Sequence, residues 1–155
     1  MVSGLEHFPK EIIEKDAILL EQSVPDKMTA LSIMADCLKA LGYLSDTRCF
    51  LADVQEREQQ FSTCIGQGIA IPHGKSDAVL HTGVCMMRLN APICWQDQKV
   101  DFIMLLAIEK KHTDVIYLKM LADLSVHFLH EDFVKQLKSG TKEEIYRLVI
   151  KNTQR

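Results

Sequence analysis

One histidine stands at the end of a glycine-rich stretch, in a position suited to chemistry. Residues 62–75 read STCIGQGIAIPHGK, and His73 follows a proline that restricts the backbone leading into it. Gly66 and Gly68 allow backbone angles that other residues avoid, and they let a ligand approach main-chain N–H groups. A neutral imidazole is a good nucleophile near pH 7, because the pKa of histidine is about 6.5. The pattern is therefore typical of a histidine that does chemistry.

The same stretch also has a plainer interpretation, a glycine-containing turn before a short buried strand at residues 69–71. His73 would then be a partly buried spacer. Glycines beside apolar strands are common, and a G-x-G pattern alone carries little information. The residue types by themselves leave both interpretations open.

The residues around His73 resemble the active-site signature of a known family. The matching positions are Arg57, Glu58, Ser62, Thr63, Ile65, Gly66 and residues 68–75. They are similar to the enzyme IIA domain of the bacterial phosphoenolpyruvate:sugar phosphotransferase system, of the fructose/mannitol and nitrogen-regulatory type. The resemblance continues through residues 91–95, 100–108, 118–124 and 131–137, so it covers nearly the whole chain.

The resemblance implies a cytoplasmic phosphoryl carrier in which His73 is transiently phosphorylated. The phosphoryl group would come from the phosphocarrier HPr and pass to a cysteine on the IIB component of a sugar permease. The resemblance also implies that Nε2 of His73 carries the group as a tele-phosphohistidine, although the residues themselves leave the ring nitrogen open. No cofactor or metal is implied. Such transfer depends on in-line positioning and on neutralising the charge of the phosphoryl oxygens.

Arg57 is the candidate for this neutralisation. Its guanidinium is always charged, and its planar fork matches phosphate oxygens. Residue type alone favours a different interpretation, a solvated helix-surface residue paired with Glu56 or Glu58. The match to the Arg-Glu pair of the family reverses this preference and predicts a catalytic role.

Four other residues near the histidine have types suited to the pocket. Thr63 can donate its hydroxyl to a phosphoryl group, and Gly66 and Gly68 can offer N–H groups. Simple turn formation explains the same three residues equally well. Lys75 can add positive potential, or it can be a solvated lysine after a turn. We expect Thr63 and the two glycines to form the pocket and leave their direct contacts open.

The sequence departs from the family pattern at Tyr117. Members commonly carry a second histidine immediately before the leucine that is Leu118 here. A tyrosine hydroxyl can hydrogen-bond a phosphoryl group but cannot become a cation. Alternatively, the Tyr117 ring packs at the edge of the core, or His112 substitutes if its loop folds back. Cys64 and Gln67 stand where glycine and asparagine are usual, and the side chain of Cys64 puts a tight backbone approach to phosphate in question.

The hydrophobic spacing predicts the elements that position these residues. Apolar runs predict strands at residues 17–20, 69–71, 84–89 and 100–108, the last two in a sheet covered on both faces. Helical spacing predicts three helices, at residues 28–41 before Gly42, at 45–58, and from an N-cap at Thr113 onward. A last helix at residues 141–150 opens with a capping-box sequence. The helix at 45–58 would deliver Arg57 to the glycine-rich loop.

These elements predict one α/β domain over residues 1–155, with a mixed central β-sheet flanked by helices, as the resemblance also implies. The chain has a formal net charge of −3 and no basic block, so nucleic acid is not an expected partner. No apolar run reaches the ~20 residues of a membrane helix, and we expect no membrane insertion. Its five cysteines form no C-x-x-C pair, which argues against a zinc site and for reduced thiols in a cytoplasmic protein.

Two other functions stay open. One is a regulatory protein of the nitrogen-related branch, in which phosphorylation of the same His73 controls partner binding. The other is a binding module that has lost activity, which the departure at Tyr117 leaves possible. Neither the sugar nor the downstream partner follows from the sequence.

Overall fold

The computed structural model describes residues 11–110 and 115–153. The strands are β1 (Ile18–Gln22), β2 (Cys64–Gly66), β3 (Ile69–Ala70), β4 (His73–Ser76), β5 (Gly83–Trp95) and β6 (Gln98–Glu109). The helices are α1 (Lys27–Ala40), α2 (Thr47–Gln60), α3 (Val115–His127), α4 (Glu131–Ser139) and α5 (Lys142–Thr153). A short 3-10 turn at Lys15–Ala17 precedes β1.

The six strands form one mixed sheet in the order β1-β5-β6-β3-β2, and β4 also pairs with β6. Strands β5 and β6 are antiparallel, whereas β1 runs parallel to β5, and β3 and β4 run parallel to β6. Strand β6 is long enough to pair with β3 near its start and with β4 near its end. The predicted mixed sheet with flanking helices is therefore confirmed.

Side chains of β5 and β6 alternate between two buried layers, as expected for a sheet covered on both faces. Met87 points into the layer formed with α1 and α2, where it shares a cluster with Phe50. Met86, one residue earlier, lies in the layer formed with α3, α4 and α5, together with Leu137. The continuous apolar runs predicted as doubly covered strands are therefore confirmed.

The helix ends follow the signals that the sequence carries. Asp26 and Asp46 each accept a hydrogen bond from the backbone N–H three residues later, at 2.8 and 3.0 Å. Thr141 and Glu144 form the predicted capping box, with side-chain to backbone distances of 2.8 and 3.1 Å. Gly42, just past α1, has a φ of +91°, which favours glycine.

Several elements around the predicted site were not identified from the sequence. Strand β3 ends at Ala70 and not at residue 71, and His73 opens a further strand, β4, and is not in a loop. Pro72 interrupts the ladder because it has no N–H, although its carbonyl still accepts a hydrogen bond from Leu106 at 3.0 Å. Strand β2 and helix α4 were also missed. The predicted N-cap at Thr113 lies outside the described residues.

Candidate active site

Two contacts position His73. Its backbone pairs with strand β6, and its ring contacts the backbone carbonyl of Ile71. It is half-buried at the first position of β4, paired with Leu106 of β6. Its Nδ1 lies 2.9 Å from the carbonyl oxygen of Ile71. A carbonyl only accepts hydrogen bonds, so Nδ1 carries the proton of the neutral ring. The lone pair is therefore on Nε2, which is the nitrogen available as a nucleophile.

Helix α2 packs closely against β4 and so brings its last turn to His73. The contact is made at Gly74, where a Cβ atom would lie 2.8 Å from Cγ2 of Val54 and 3.3 Å from its backbone nitrogen. Only glycine permits this approach without moving the helix. The residue after the histidine therefore sets how near the helix comes to it.

Arg57, in that last turn, faces His73. Its Nη1 donates a 2.8 Å hydrogen bond to the carbonyl oxygen of Phe61, which holds the side chain over the start of the next segment. Arg57 and His73 together line two neighbouring cavities. The helix was predicted to deliver Arg57 to the glycine-rich loop, and in the structure Arg57 also lies beside His73.

The two cavities beside His73 differ in charge. The smaller, about 240 Å³, is lined by Arg57, His73, Ile65 and Ile71 together with three hydroxyl residues, which are Ser62, Thr63 and Ser125. The larger, about 290 Å³, is lined by Arg57, His73, Gln60 and Lys75 together with two carboxylates, Asp53 and Glu56. A phosphoryl group carries negative charge, so the carboxylates disfavour it in the larger cavity. The smaller cavity is the better site for it.

Thr63 is buried beside the site and is fixed by Glu58, the glutamate of the Arg-Glu pair that matches the family signature. The backbone N–H of Thr63 donates to Oε2 of Glu58 at 3.0 Å, and its hydroxyl donates to Oε1. Trp95 Nε1 donates to the same carboxylate at 3.2 Å. The Thr63 hydroxyl hydrogen is therefore engaged, and its donation to a phosphoryl group stays a prediction.

A cation completes this buried network. Lys27 Nζ lies 3.7 Å from Oε2 of Glu58 and 4.8 Å from the centre of the Trp95 ring. A buried carboxylate needs such partners, since an unpaired one is costly to desolvate. Glu58 therefore joins the end of α2, the segment at Thr63 and the end of β5. No local spacing in the sequence signals this contact.

Gly66 and Gly68 flank Gln67 in the turn between β2 and β3. All three have positive φ angles, +95°, +57° and +77° in chain order. Strand β3 pairs with β6 four residues before β4 does, so this turn is separated from His73 by about 13 Å or more along the sheet. Neither glycine lines the two cavities. A direct contact with a phosphoryl group stays a prediction for them.

Helix α3 supplies one wall of the smaller cavity. Ser125 lines it, although no motif in the sequence marks this serine as a site residue. Tyr117 lies two turns earlier in the same helix, and its side chain is outside the described part of the chain, as is His112. Within residues 11–110 and 115–153, no group of three or more His, Cys, Asp or Glu is arranged to hold a metal ion. No helix in these ranges is long and apolar enough to cross a membrane.

The environment of His73 favours the neutral ring. Burial is the largest cause of its lowered pKa, and the positive charge of Arg57 lowers it further. The hydrogen bond to the Ile71 carbonyl and the charge of Glu58 act in the opposite direction but are outweighed. A neutral ring keeps the Nε2 lone pair free to act as a nucleophile at neutral pH.

We expect the His73 ring to titrate with a midpoint below about 6.5, the ordinary value for histidine. The Arg57→Ala change should raise this midpoint, and Glu58→Gln should lower it, because each removes a charge that acts on the ring. Phosphoryl acceptance should fall only as the pH drops through the lowered pKa. NMR titration of the imidazole measures the shift, with the urea-unfolded chain as the reference. A midpoint at or above that of the unfolded chain would contradict the interpretation.

Comparison with known proteins connects this geometry to a family. A sequence profile described as "Phosphoenolpyruvate-dependent sugar phosphotransferase system, EIIA 2" matches residues 11–152. The chain belongs to this family. Enzyme IIA proteins of this kind are phosphotransferases, and the resemblance noted around His73 and Arg57 is thereby confirmed at the level of the family.

Two relatives differ in how much of their length this chain matches. The chain is 28% identical over 134 residues to the PTS system 2-O-alpha-mannosyl-D-glycerate-specific EIIABC component of Escherichia coli, covering 84% of this chain and 20% of that protein. It is 27% identical over 139 residues to the mannitol-specific phosphotransferase enzyme IIA component of Staphylococcus aureus, covering 87% of this chain and 92% of that protein. The chain thus spans about a fifth of the first relative.

A solved structure has the same fold. The nitrogen regulatory protein IIA-Ntr from Neisseria meningitidis superposes with a TM-score of 0.81, covering 89% of this chain and 96% of that one at 22% sequence identity. At this identity the likeness concerns the fold. The structure of IIA mannitol from Escherichia coli also has this fold, with a TM-score of 0.72 at 20% identity, covering 88% of this chain and 97% of that one.

Proposed function

We propose that this protein is a cytoplasmic phosphoryl carrier of the phosphoenolpyruvate-dependent sugar phosphotransferase system. His73 accepts the phosphoryl group from the phosphocarrier HPr and passes it to a IIB component for the uptake of a fructose- or mannitol-like sugar. The observation that carries the proposal is the hydrogen bond of Nδ1 to the Ile71 carbonyl. It leaves Nε2 of a half-buried ring as the nucleophile, beside an arginine.

The chemistry follows from this protonation state. The Nε2 lone pair attacks phosphorus, an N–P bond forms, and the bond between phosphorus and HPr breaks. Arg57 neutralises the phosphoryl oxygens as they move between the two proteins. Nδ1 keeps its proton, so the ring leaves as a neutral imidazole when a cysteine thiolate of IIB attacks. The S–P bond then forms as the N–P bond breaks.

The relatives support the sugar-transport branch and a IIB partner. The E. coli relative is named as an EIIABC component, which combines A, B and C components in one protein, and the S. aureus relative is named for mannitol. A surface for such a partner surrounds the smaller cavity. Ile65 lines it and Phe61 adjoins it, and both side chains are exposed. Apolar side chains of this kind suit a small, transient interface.

A nitrogen-related regulatory role is the second candidate, because a protein with the same fold is named as a nitrogen regulatory protein. In that role the same His73 would be phosphorylated, but the phosphorylation state would control the binding of a partner. The two functions share the acceptor pocket, so the fate of the phosphoryl group distinguishes them.

The test is a reconstituted cascade with phosphoenolpyruvate, enzyme I and HPr, followed by addition of purified fructose- and mannitol-type IIB domains. We expect one acid-labile phosphoryl group per chain, measured by intact mass, and its loss to IIB. Phosphorylation without transfer to any IIB would favour the regulatory candidate. A chain that takes up no phosphoryl group would contradict both.

Tyr117 is proposed to orient the phosphoryl group in place of the usual histidine. Tyr117→Phe removes only the hydroxyl, and its hydrogen bond is worth roughly 0.5–1.5 kcal/mol, or up to about 3 kcal/mol with a charged partner. Transfer should therefore fall about tenfold, and Tyr117→His should retain activity. Rapid-quench assays measure both. A wild-type rate for Tyr117→Phe would make Tyr117 a packing residue. If the wild-type protein accepts no phosphoryl group and Tyr117→His does, the wild-type protein is a binding module that has lost its activity.

A further inference from the structure

The three hydroxyl side chains that line the smaller cavity differ in what their hydrogen atoms contact. The Thr63 hydroxyl donates to Oε1 of Glu58. The Ser62 oxygen accepts from the backbone N–H of Cys64 at 3.2 Å, and its own hydrogen donates to no group in the described part of the chain. Ser125 is exposed, and its hydroxyl makes no hydrogen bond to any described residue. Two of the three hydroxyls are therefore available as donors.

We propose that Ser62 and Ser125 donate hydrogen bonds to the oxygens of a phosphoryl group on Nε2 of His73. The inference rests on the proposed function and adds to it the donors that hold the transferred group. The oxygens of an ionised phosphoryl group accept hydrogen bonds from donors on several sides. Arg57 keeps N–H groups besides the one that bonds to Phe61. The two serines add donors from two other walls of the cavity.

The backbone around Ser62 is joined to the segment that holds the histidine. The carbonyl oxygen of Thr63 accepts from the N–H of Ile71 at 3.0 Å, and the Ile71 carbonyl oxygen lies 2.9 Å from Nδ1 of His73. The residue before Ser62 accepts the hydrogen bond of Arg57 at 2.8 Å. Ser62 therefore lies in the chain between a residue bonded to the arginine and a residue bonded to the histidine segment.

Ser125 is carried to the cavity by α3, and the end of this helix is anchored. Gln67 Nε2 donates to the carbonyl oxygen of Phe128 at 3.1 Å, which joins the turn between β2 and β3 to the residue after the helix. The Phe128 side chain is buried, and its ring packs edge-on against that of Phe133 with 5.4 Å between the ring centres. Ser125 lies about one helical turn earlier. Its position is thus fixed, while its hydroxyl is left to bind a ligand.

The test uses phosphoramidate, a small donor that phosphorylates histidine without a protein partner. Nε2 of His73 attacks phosphorus and forms an N–P bond, while the P–N bond of phosphoramidate breaks and ammonia leaves. Ser62→Ala and Ser125→Ala should each slow the labelling of the full-length chain about tenfold, as expected for the loss of one hydrogen bond to a charged group. Intact mass followed over time measures the rates.

The matched control is Ser32→Ala, which removes an exposed serine from α1. It should be labelled at the wild-type rate. Alanine favours a helix, and Ser125 makes no described hydrogen bond that its replacement would break, so Ser125→Ala should keep the fold. Circular dichroism checks each variant. A wild-type rate for folded Ser62→Ala or Ser125→Ala, or an equal loss in Ser32→Ala, would overturn the inference.

Ser62 also closes a local turn through the Cys64 N–H, and two further variants separate this role from donation. Ser62→Asp keeps an acceptor for that N–H but replaces the donor with a negative charge, so it should be labelled more slowly than Ser62→Ala. Ser62→Thr keeps both the acceptor and the donor and should retain most of the wild-type rate. A turn-forming role alone would make Ser62→Asp faster than Ser62→Ala, which would contradict donation by Ser62.

This assay and the HPr cascade can fail separately. If phosphoramidate labels wild-type His73 and HPr does not, the proposed function is contradicted, and the rates of the serine variants still decide this inference. Peptide mapping under alkaline conditions locates the label. If phosphoramidate leaves His73 of the wild-type chain unlabelled, the cavity does not hold a phosphoryl group on this histidine and the inference is wrong.

Discussion

We expect the His73→Ala chain to take up no phosphoryl group in the reconstituted cascade, whereas wild type takes up one. The reason is chemical. The acceptor that we propose is the Nε2 lone pair, which is available because Nδ1 donates to the Ile71 carbonyl at 2.9 Å, and alanine has no nucleophile to replace it. Intact-mass measurement under alkaline conditions, where a phosphohistidine survives, distinguishes the two chains.

The control for this experiment is His81→Ala, since His81 is an exposed histidine outside the site. It should be phosphorylated like wild type. The pairing of residue 73 with Leu106 is made by backbone atoms, which the alanine substitution keeps, so the fold should persist. Labelling of His73→Ala to the wild-type level would show that another residue is the acceptor and would remove the basis of the proposed function.

Arg57→Ala is expected to reduce the rate of transfer by about 10²-fold or more, the cost typical of losing one preorganised donor to a developing charge. Arg57 shares both cavities with His73, and it is the only cation lining the smaller one among the residues described there. The substitution should lower the rate of transfer much more than it weakens the binding of HPr. Rapid-quench kinetics and a separate binding titration measure the two quantities.

The matched control is Arg48→Ala, an exposed arginine in the first turn of the same helix. Both changes remove one positive charge, and alanine is a good helix former in either position. Arg57→Ala also loses the hydrogen bond to Phe61, a modest cost of roughly 0.5–1.5 kcal/mol in stability. Equal rates for the two variants would return Arg57 to the role of a helix-surface residue.

The sequence by itself determined the elements whose signals are local. Asp26, Asp46 and the Thr141–Glu144 pair mark helix starts because a side chain reaches a backbone group three residues away. The apolar runs that became β5 and β6 indicated burial on both faces. The resemblance around His73 identified the family before any geometry was known. In each case the information lies within a few neighbouring residues or in a short motif.

The tertiary structure decided how His73 is presented. Strand β4 exists because β6 extends past the end of β3 and offers a second partner, and four residues cannot signal that by themselves. Which ring nitrogen is free depends on where the Ile71 carbonyl points. The closeness of Arg57 depends on the contact of Gly74 with Val54, residues that are 20 positions apart in the chain.

The tertiary structure also decided which residues surround the site. Glu58 binds Thr63 and Trp95 in the interior, although its place in a helix beside an arginine suggests a surface ion pair. Ser125 lines the smaller cavity although it lies in α3, far from His73 in the sequence. Gly66 and Gly68 lie close to His73 in the sequence, but their turn does not line the cavity. Such contacts join residues brought together only by packing. Local spacing does not predict these contacts, because the type of a side chain does not specify which distant element will pack over it.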